Sequence, residues 1–194
     1  MLASHHGDKK LNSPNDVVVK RDGAIYFSDP SYGRRPHFGV PRPLQLDFRG
    51  VYRLAADGKR LTLLAADFAE PNGLCFSLDE KVMFVNDTDR QHIRAFDVAS
   101  NGTLATSRVW ARTVGEGAGA PDGMKIDSAG NPYCCGPGGI HVFAADATDL
   151  GGIKVPEVTA NFCWGDDDLK TLFITASTSL YRTRVNTPGM PQMR

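Results

Sequence analysis

Short apolar runs, β-branched or alternating, recur along the chain and each is closed by a turn. The early runs are Val17-Val18-Val19, Ile25-Tyr26-Phe27, Gly50 to Leu54 and Leu61 to Leu64. Val82 to Val85, Ile93 to Phe96, Ile140 to Phe143, Leu172 to Thr175 and Ser179 to Arg182 continue the series. Turn dipeptides stand between them: Asp22-Gly23, Asp57-Gly58, Asn101-Gly102 and Gly130-Asn131. Short strands linked by tight turns predict an all-β chain. No segment sustains the period of an amphipathic helix.

The runs group into units. Asn15 to Phe27 lies over Asn72 to Phe84 without a gap, and Asp122 to Tyr133 follows with one residue fewer. A weaker fourth copy begins near Asn161 and runs through Asp166-Asp167-Asp168 to Phe173. The steps between unit starts are 57, 50 and 39 positions. The first step is long because Tyr32 to Phe48, rich in Pro and Gly, is an insertion that would form a rim loop. Units of about 40 to 50 residues built from short strands predict propeller blades. The expectation is one partial β-propeller domain over 1–194, about four blades' worth, with the first one or two blades missing. An open stack of blades would leave apolar faces and strand edges uncovered.

Composition narrows the partners. Acidic and basic residues balance at 22 each, so no net field draws the chain to nucleic acid or an anionic membrane. No apolar run approaches the roughly 20 residues of a membrane helix. Met1 to His6 lacks the apolar core of a signal peptide. Cys75, Cys134, Cys135 and Cys163 lie in strand-like runs without zinc spacing, and buried reduced thiols are expected. Cys134 and Cys135 should face opposite ways.

Each unit opens on the same chemistry. Pro14-Asn15-Asp16, Pro71-Asn72-Gly73 and Pro121-Asp122-Gly123 place Asn15, Asn72 and Asp122 in register. Equivalent loops of successive blades ring one mouth of a propeller, so the three side chains should converge. Their oxygens are hard donors suited to Ca²⁺, Mg²⁺ or Mn²⁺. Asx-turns would explain each loop singly; the threefold recurrence favours a site. A cation there could polarise a carbonyl, with Asp122 taking a proton from the attacking water. That chemistry fits ester or lactone hydrolysis and would also serve phosphoesters.

The stretches Leu11 to Val18, Tyr26 to Gly33, Pro71 to Lys81 and Pro121 to Asp127 resemble the gluconolactonase/regucalcin (senescence marker protein) family. Leu172 to Tyr181 is similar to the last blade of its bacterial gluconolactonases. The resemblance implies a six-bladed β-propeller with one divalent metal on its axis, calcium first, with magnesium, manganese or zinc as alternatives. It implies hydrolysis of a small-molecule sugar lactone by a carboxylic ester hydrolase. Asn72 and Asp122 then match metal ligands, and Asp122 also matches the general acid/base. Asn15 matches a substrate-facing position. Ser13 stands where some members carry a substrate-binding Arg.

The family's remaining ligand is a Glu in the first blade, and no Glu precedes Glu70 here. This chain alone is therefore expected to bind metal poorly and to be a poor catalyst. Two alternatives stand beside lactone hydrolysis: a non-catalytic calcium- or partner-binding propeller fragment, and an ester or phosphotriester hydrolase with the same site. A cytoplasmic location is expected, or a periplasmic one if a signal preceded the missing blades. Among other residues, His5-His6 reads as a solvated segment, His92 and His141 as structural, and Trp110 and Trp164 as core. Asp166-Asp167-Asp168 reads as a hairpin turn. Asp29 and Tyr32 are balanced between lining the mouth and plain packing.

Overall fold

The computed structural model describes residues 1–191. A two-stranded hairpin, β1 (His5–His6) and β2 (Lys9–Lys10), precedes four antiparallel sheets. The first sheet holds β3 (Val17–Val19), β4 (Ile25–Asp29), β5 (Arg49–Leu54) and β6 (Leu61–Phe68). The second holds β7 (Pro71–Phe76), β8 (Val82–Asp87), β9 (His92–Val98) and β10 (Leu104–Arg112). The third holds β11 (Met124–Ile126), β12 (Pro132–Gly136), β13 (Gly139–Phe143) and β14 (Asp149–Lys154). The fourth has three strands, β15 (Thr159–Gly165), β16 (Thr171–Ala176) and β17 (Leu180–Arg184). Each sheet is an up-and-down meander, so each is one blade. The expected all-β propeller architecture is present, with one 3₁₀ turn among the described residues, at Tyr32–Arg34 inside the rim insertion.

Period-two alternation sorts each strand between two blade interfaces. Leu74 and Phe76 of β7, with Met83 and Val85 of β8, face Tyr26, Val51 and Phe68 of the first blade. Cys75 and Phe84, the residues between them, face Met124, Cys134 and Phe143 of the third blade. Cys134 and Cys135 do point oppositely: Cys134 packs toward the second blade, Cys135 toward Phe162, Leu172 and Ile174 of the fourth. Fully burying each such Phe, Leu or Ile contributes roughly 1.5–3 kcal/mol, which holds the blades face to face. The first strands of successive blades, β3, β7, β11 and β15, are neighbours and line the axis.

Several expectations are corrected. Leu74 pairs with Val85, whereas Val17 pairs with Phe27 and Met124 with Cys134. The second unit's first hairpin is thus one residue longer, and the first and third units have equal hairpins. The extra residue is absorbed in the turn between Ser77 and Val82, where Glu80 takes a positive φ of 57°. Cys163 is exposed, because it lies on an axis-lining strand and faces an open groove of about 530 Å³. The other three cysteines are buried and free. His5 and His6 form β1, and the His6 ring packs edge-on against Phe48 and Tyr52. Trp110 and Trp164 are half-buried and pack on the blade interfaces. Asp166 to Lys170 is the hairpin turn expected, closed by an ion pair of Asp168 with Arg184 at 2.5 Å.

Candidate metal centre

The first residues of β7 and β15, and the loops just before β3 and β11, bring the recurring side chains to one end of the axis. Asn72 is buried, and its amide lies beside the half-buried carboxylate of Asp122. The two loops approach so closely that a Cβ at Gly73 would sit 2.2 Å from the Asp122 carbonyl oxygen. Glycine after Asn72 is therefore a packing requirement as well as a turn preference. Asn161, which opens the fourth unit, packs its side chain against Gly123 in the same way. Asn15 occupies the same register in the first unit but is exposed. Asp16, where the next two units have glycine, reaches across to accept the Leu74 N–H at 3.4 Å.

Burial pushes the Asp122 carboxyl up to about 7, and the nearby Asp16 charge adds to the shift. The Asn72 amide and the Gly123 N–H act in the opposite direction. Burial also raises Asp16, against the attraction of Lys125. Two carboxylates and one amide oxygen thus share a poorly solvated corner, an arrangement that favours a positive charge. The Asn72 Oδ1 is buried and has no hydrogen-bond partner. A buried acceptor left unpaired costs about 1–3 kcal/mol unless something binds it. A hard divalent cation fits this orphaned oxygen and the adjacent Asp122 carboxylate. Among the described residues, no three His, Cys, Asp or Glu side chains gather into a metal-holding group. Asn72 and Asp122 therefore offer two oxygen donors side by side.

Two buried aspartates hold the loops. Asp29, at the end of β4, accepts the N–H groups of Asn12 at 2.8 Å and Ser13 at 2.7 Å. Asp87, at the end of β8, accepts those of Ala69 at 2.9 Å and Glu70 at 3.2 Å. Asp29 is a loop clasp, which settles its place between mouth and turn in favour of structure. The Ser13 hydroxyl donates to Pro30 O at 2.6 Å and accepts the Gly33 N–H at 3.0 Å, so it ties the root of the rim insertion. Glu70 is 1% exposed and accepts the Ser31 N–H at 2.8 Å, the Ser31 hydroxyl at 2.5 Å and the Arg35 guanidinium. Arg35 also lies over the Tyr32 ring, 5.0 Å from its centroid. The insertion is thereby clamped to a residue two positions from Asn72.

The residues that sequence reading missed lie just past the middle of the second blade. Asn86 donates to the Asp122 carbonyl at 2.6 Å, and Thr88 donates to the Pro121 carbonyl at 2.7 Å. Asn86 and Thr88 point to the third blade while Asp87, between them, points back to its own. The polar end of a strand that is otherwise apolar was the available signal.

A stack of four meander blades with an amide and a carboxylate at one end of its axis is part of a β-propeller. The chain belongs to the SMP-30/Gluconolactonase/LRE-like family, whose model matches residues 1–178. It is 38% identical to the gluconolactonase of Zymomonas mobilis, covering 97% of this chain and 55% of that protein. The structure of a gluconolactonase from Xanthomonas campestris matches with a TM-score of 0.86 and 37% identity, over 96% of this chain and 61% of that one. A regucalcin from Agrobacterium tumefaciens, described as a calcium-binding protein, shares the fold at a TM-score of 0.74 and 18% identity, over 91% of this chain and 62% of its own. The chain thus spans little more than half the length of the Zymomonas relative. No helix among the described residues is long and apolar enough to cross a membrane.

Proposed function

We propose that the chain carries the metal-binding and proton-transferring part of a sugar lactonase, and that Asp122 is its general acid/base. The observation that carries this reading is the pairing of an unpartnered Asn72 Oδ1 with a carboxyl that burial has pushed up to about 7. A base near neutrality combines the right protonation state with a useful driving force for taking a proton from water. Asn72 and Asp122 would hold a divalent cation, calcium first, with magnesium, manganese or zinc as alternatives. When bound, the cation supplies polarisation of the lactone carbonyl. Asn15, exposed at the mouth, would meet the substrate's hydroxyls. Ser13 would contribute through the turn it ties at the base of the insertion. The names of the Zymomonas and Xanthomonas relatives support a lactone as substrate.

The test is acid release from D-glucono-1,5-lactone with each of the four cations, followed in a pH-stat against the spontaneous rate. Slow, cation-stimulated hydrolysis is expected, with Asp122→Asn losing at least about 100-fold at unchanged circular dichroism. Turnover retained by that variant overturns the role of Asp122. Hydrolysis with no cation dependence overturns the metal role.

A second reading has its own support: among the described residues, two of a cation's usual six to eight ligands gather here. On that reading the chain binds calcium, or a partner, without catalysing. Calorimetric Ca²⁺ binding with no lactone turnover would select it.

A further inference from the structure

We propose that Thr88 is a positioning residue that fixes the orientation of the Asn72 amide, so that its oxygen and not its nitrogen faces the cation. The proposal rests on the reading of Asn72 as a metal ligand. It goes beyond that reading by assigning a role to a residue outside the ligand ring.

The argument is one of hydrogen-bond polarity. The Thr88 Oγ1 lies 2.7 Å from the Pro121 carbonyl oxygen and 3.3 Å from the Asn72 Nδ2. A carbonyl can only accept, so the single hydroxyl proton of Thr88 is committed to Pro121. Only lone pairs remain to face Asn72. They attract the NH₂ end of the amide and repel its oxygen. The amide is therefore held with Nδ2 on Thr88 and Oδ1 turned away, where it is buried and without a partner. Turned by half a rotation, the amide would set its oxygen against lone pairs and offer the cation two N–H donors. The Asp122 carboxylate draws the same Nδ2 end, so Thr88 and Asp122 favour one orientation together.

The same hydroxyl joins both ligand loops, since Pro121 directly precedes Asp122. One group thereby sets the orientation of one donor and the position of the other. The Tyr32 hydroxyl, from the rim insertion, is buried against Thr88. It has no hydrogen-bond partner of its own there. The clamp of Arg35 and Ser31 on Glu70 holds Tyr32 in that place. The rim insertion is thus mechanically continuous with the Asn72 amide through one threonine.

The test compares Thr88→Val, which keeps the shape and removes the hydroxyl, with Thr88→Ser, which restores it. Ca²⁺ affinity is measured by calorimetry and Mn²⁺ affinity by electron paramagnetic resonance, on the same 194-residue chain. Removing a group that orients a metal ligand typically costs 10–100-fold in affinity. Thr88→Val is expected to weaken both cations by about that factor, and Thr88→Ser by less than about threefold. A readout without metal accompanies these. The Asn72 side-chain NH₂ signals in ¹⁵N-resolved NMR should shift and lose exchange protection in Thr88→Val, and should return in Thr88→Ser. A purely structural role would lower the urea midpoint and leave the affinity of the folded fraction unchanged, which overturns the proposal. Equal affinities in wild type and Thr88→Val overturn it as well, while leaving the metal reading of Asn72 intact. Failure of the wild-type chain to bind either cation overturns the metal reading, and this proposal with it.

Discussion

The first two blades and the third solve the same loop problem differently. In the first and second, an aspartate at the end of the second strand takes two N–H groups from the loop entering its own blade. In the third, the equivalent position is Gly136, at the end of β12. No acid fits there: a Cβ on Gly136 would lie 2.6 Å from the His141 ring. The entering loop closes the gap instead, so that a Cβ on Gly119 would sit 2.6 Å from the Gly136 oxygen. Its own blade holds it by backbone alone, through the Gly138 N–H on the Ala118 carbonyl, and side-chain hold comes from the second blade, through Asn86 on the Asp122 carbonyl and Thr88 on the Pro121 carbonyl. The loop that bears the carboxylate of the recurring ring is thus the one whose side-chain clasp comes from a neighbour. The geometry of the Asn72–Asp122 pair belongs to the interface between blades and is tied to the blade that presents Asn72.

The largest expected effect breaks the self-clasping arrangement. Asp87→Ala leaves two loop N–H groups and the Arg90 contact without their acceptor. Because the carboxylate is fully buried, a loss of about 3 kcal/mol or more is expected in urea unfolding. A loss within about 0.5 kcal/mol, the usual range for surface changes, would remove the clasp from the comparison.

Next, Gly136→Asp installs the missing acid in the third blade. The crowding against His141 predicts destabilisation by about 1–3 kcal/mol, as for other overpacked sites. A stabilised variant would mean that the third blade lacks the clasp by accident and not by geometry. Asn86→Ala should cost about 1–2 kcal/mol through the lost bond to the Asp122 carbonyl. It should also weaken Ca²⁺ binding, whereas a cost confined to stability would argue that the neighbour holds the fold and not the site.

The smallest effect is in pH. Burial pushes the Asp29 carboxyl up to about 6, outweighing the two N–H groups it accepts. The unfolded carboxyl titrates near 3.8. Between those values the folded chain holds more protons than the unfolded one, so stability falls as pH rises. The urea midpoint should be higher at pH 4 than at pH 6.5 in the wild type, with that part of the slope missing in Asp29→Asn. An unchanged slope would detach Asp29 from the effect.

Much of this was legible in the residues. Every apolar run named in the sequence falls on a strand, with Ser179 to Arg182 one residue ahead of Leu180–Arg184. Alternation also separated Cys134 from Cys135 correctly. The outer strands Leu104–Arg112 and Asp149–Lys154 escaped, because both are exposed over most of their length and carry little apolar pattern. The exposed thiol of Cys163 escaped for a related reason. It lies in an apolar-looking run, and only the open groove along the axis decides that its face is uncovered.

The sequence by itself determined the repeat, the class of fold and the register that makes Asn72 and Asp122 equivalents. These are properties of local pattern and spacing, which the chain carries without knowing its partners. Tertiary structure alone decided that Asn15 stays exposed while Asn72 and Asp122 meet. It alone also decided that Asp29 and Asp87 are clasps, and that Asn86 and Thr88 fix the Asp122 loop. Those outcomes depend on which blade lies against which and on the direction of each hydrogen bond across the gap, and neither is written in the spacing of residues along one strand.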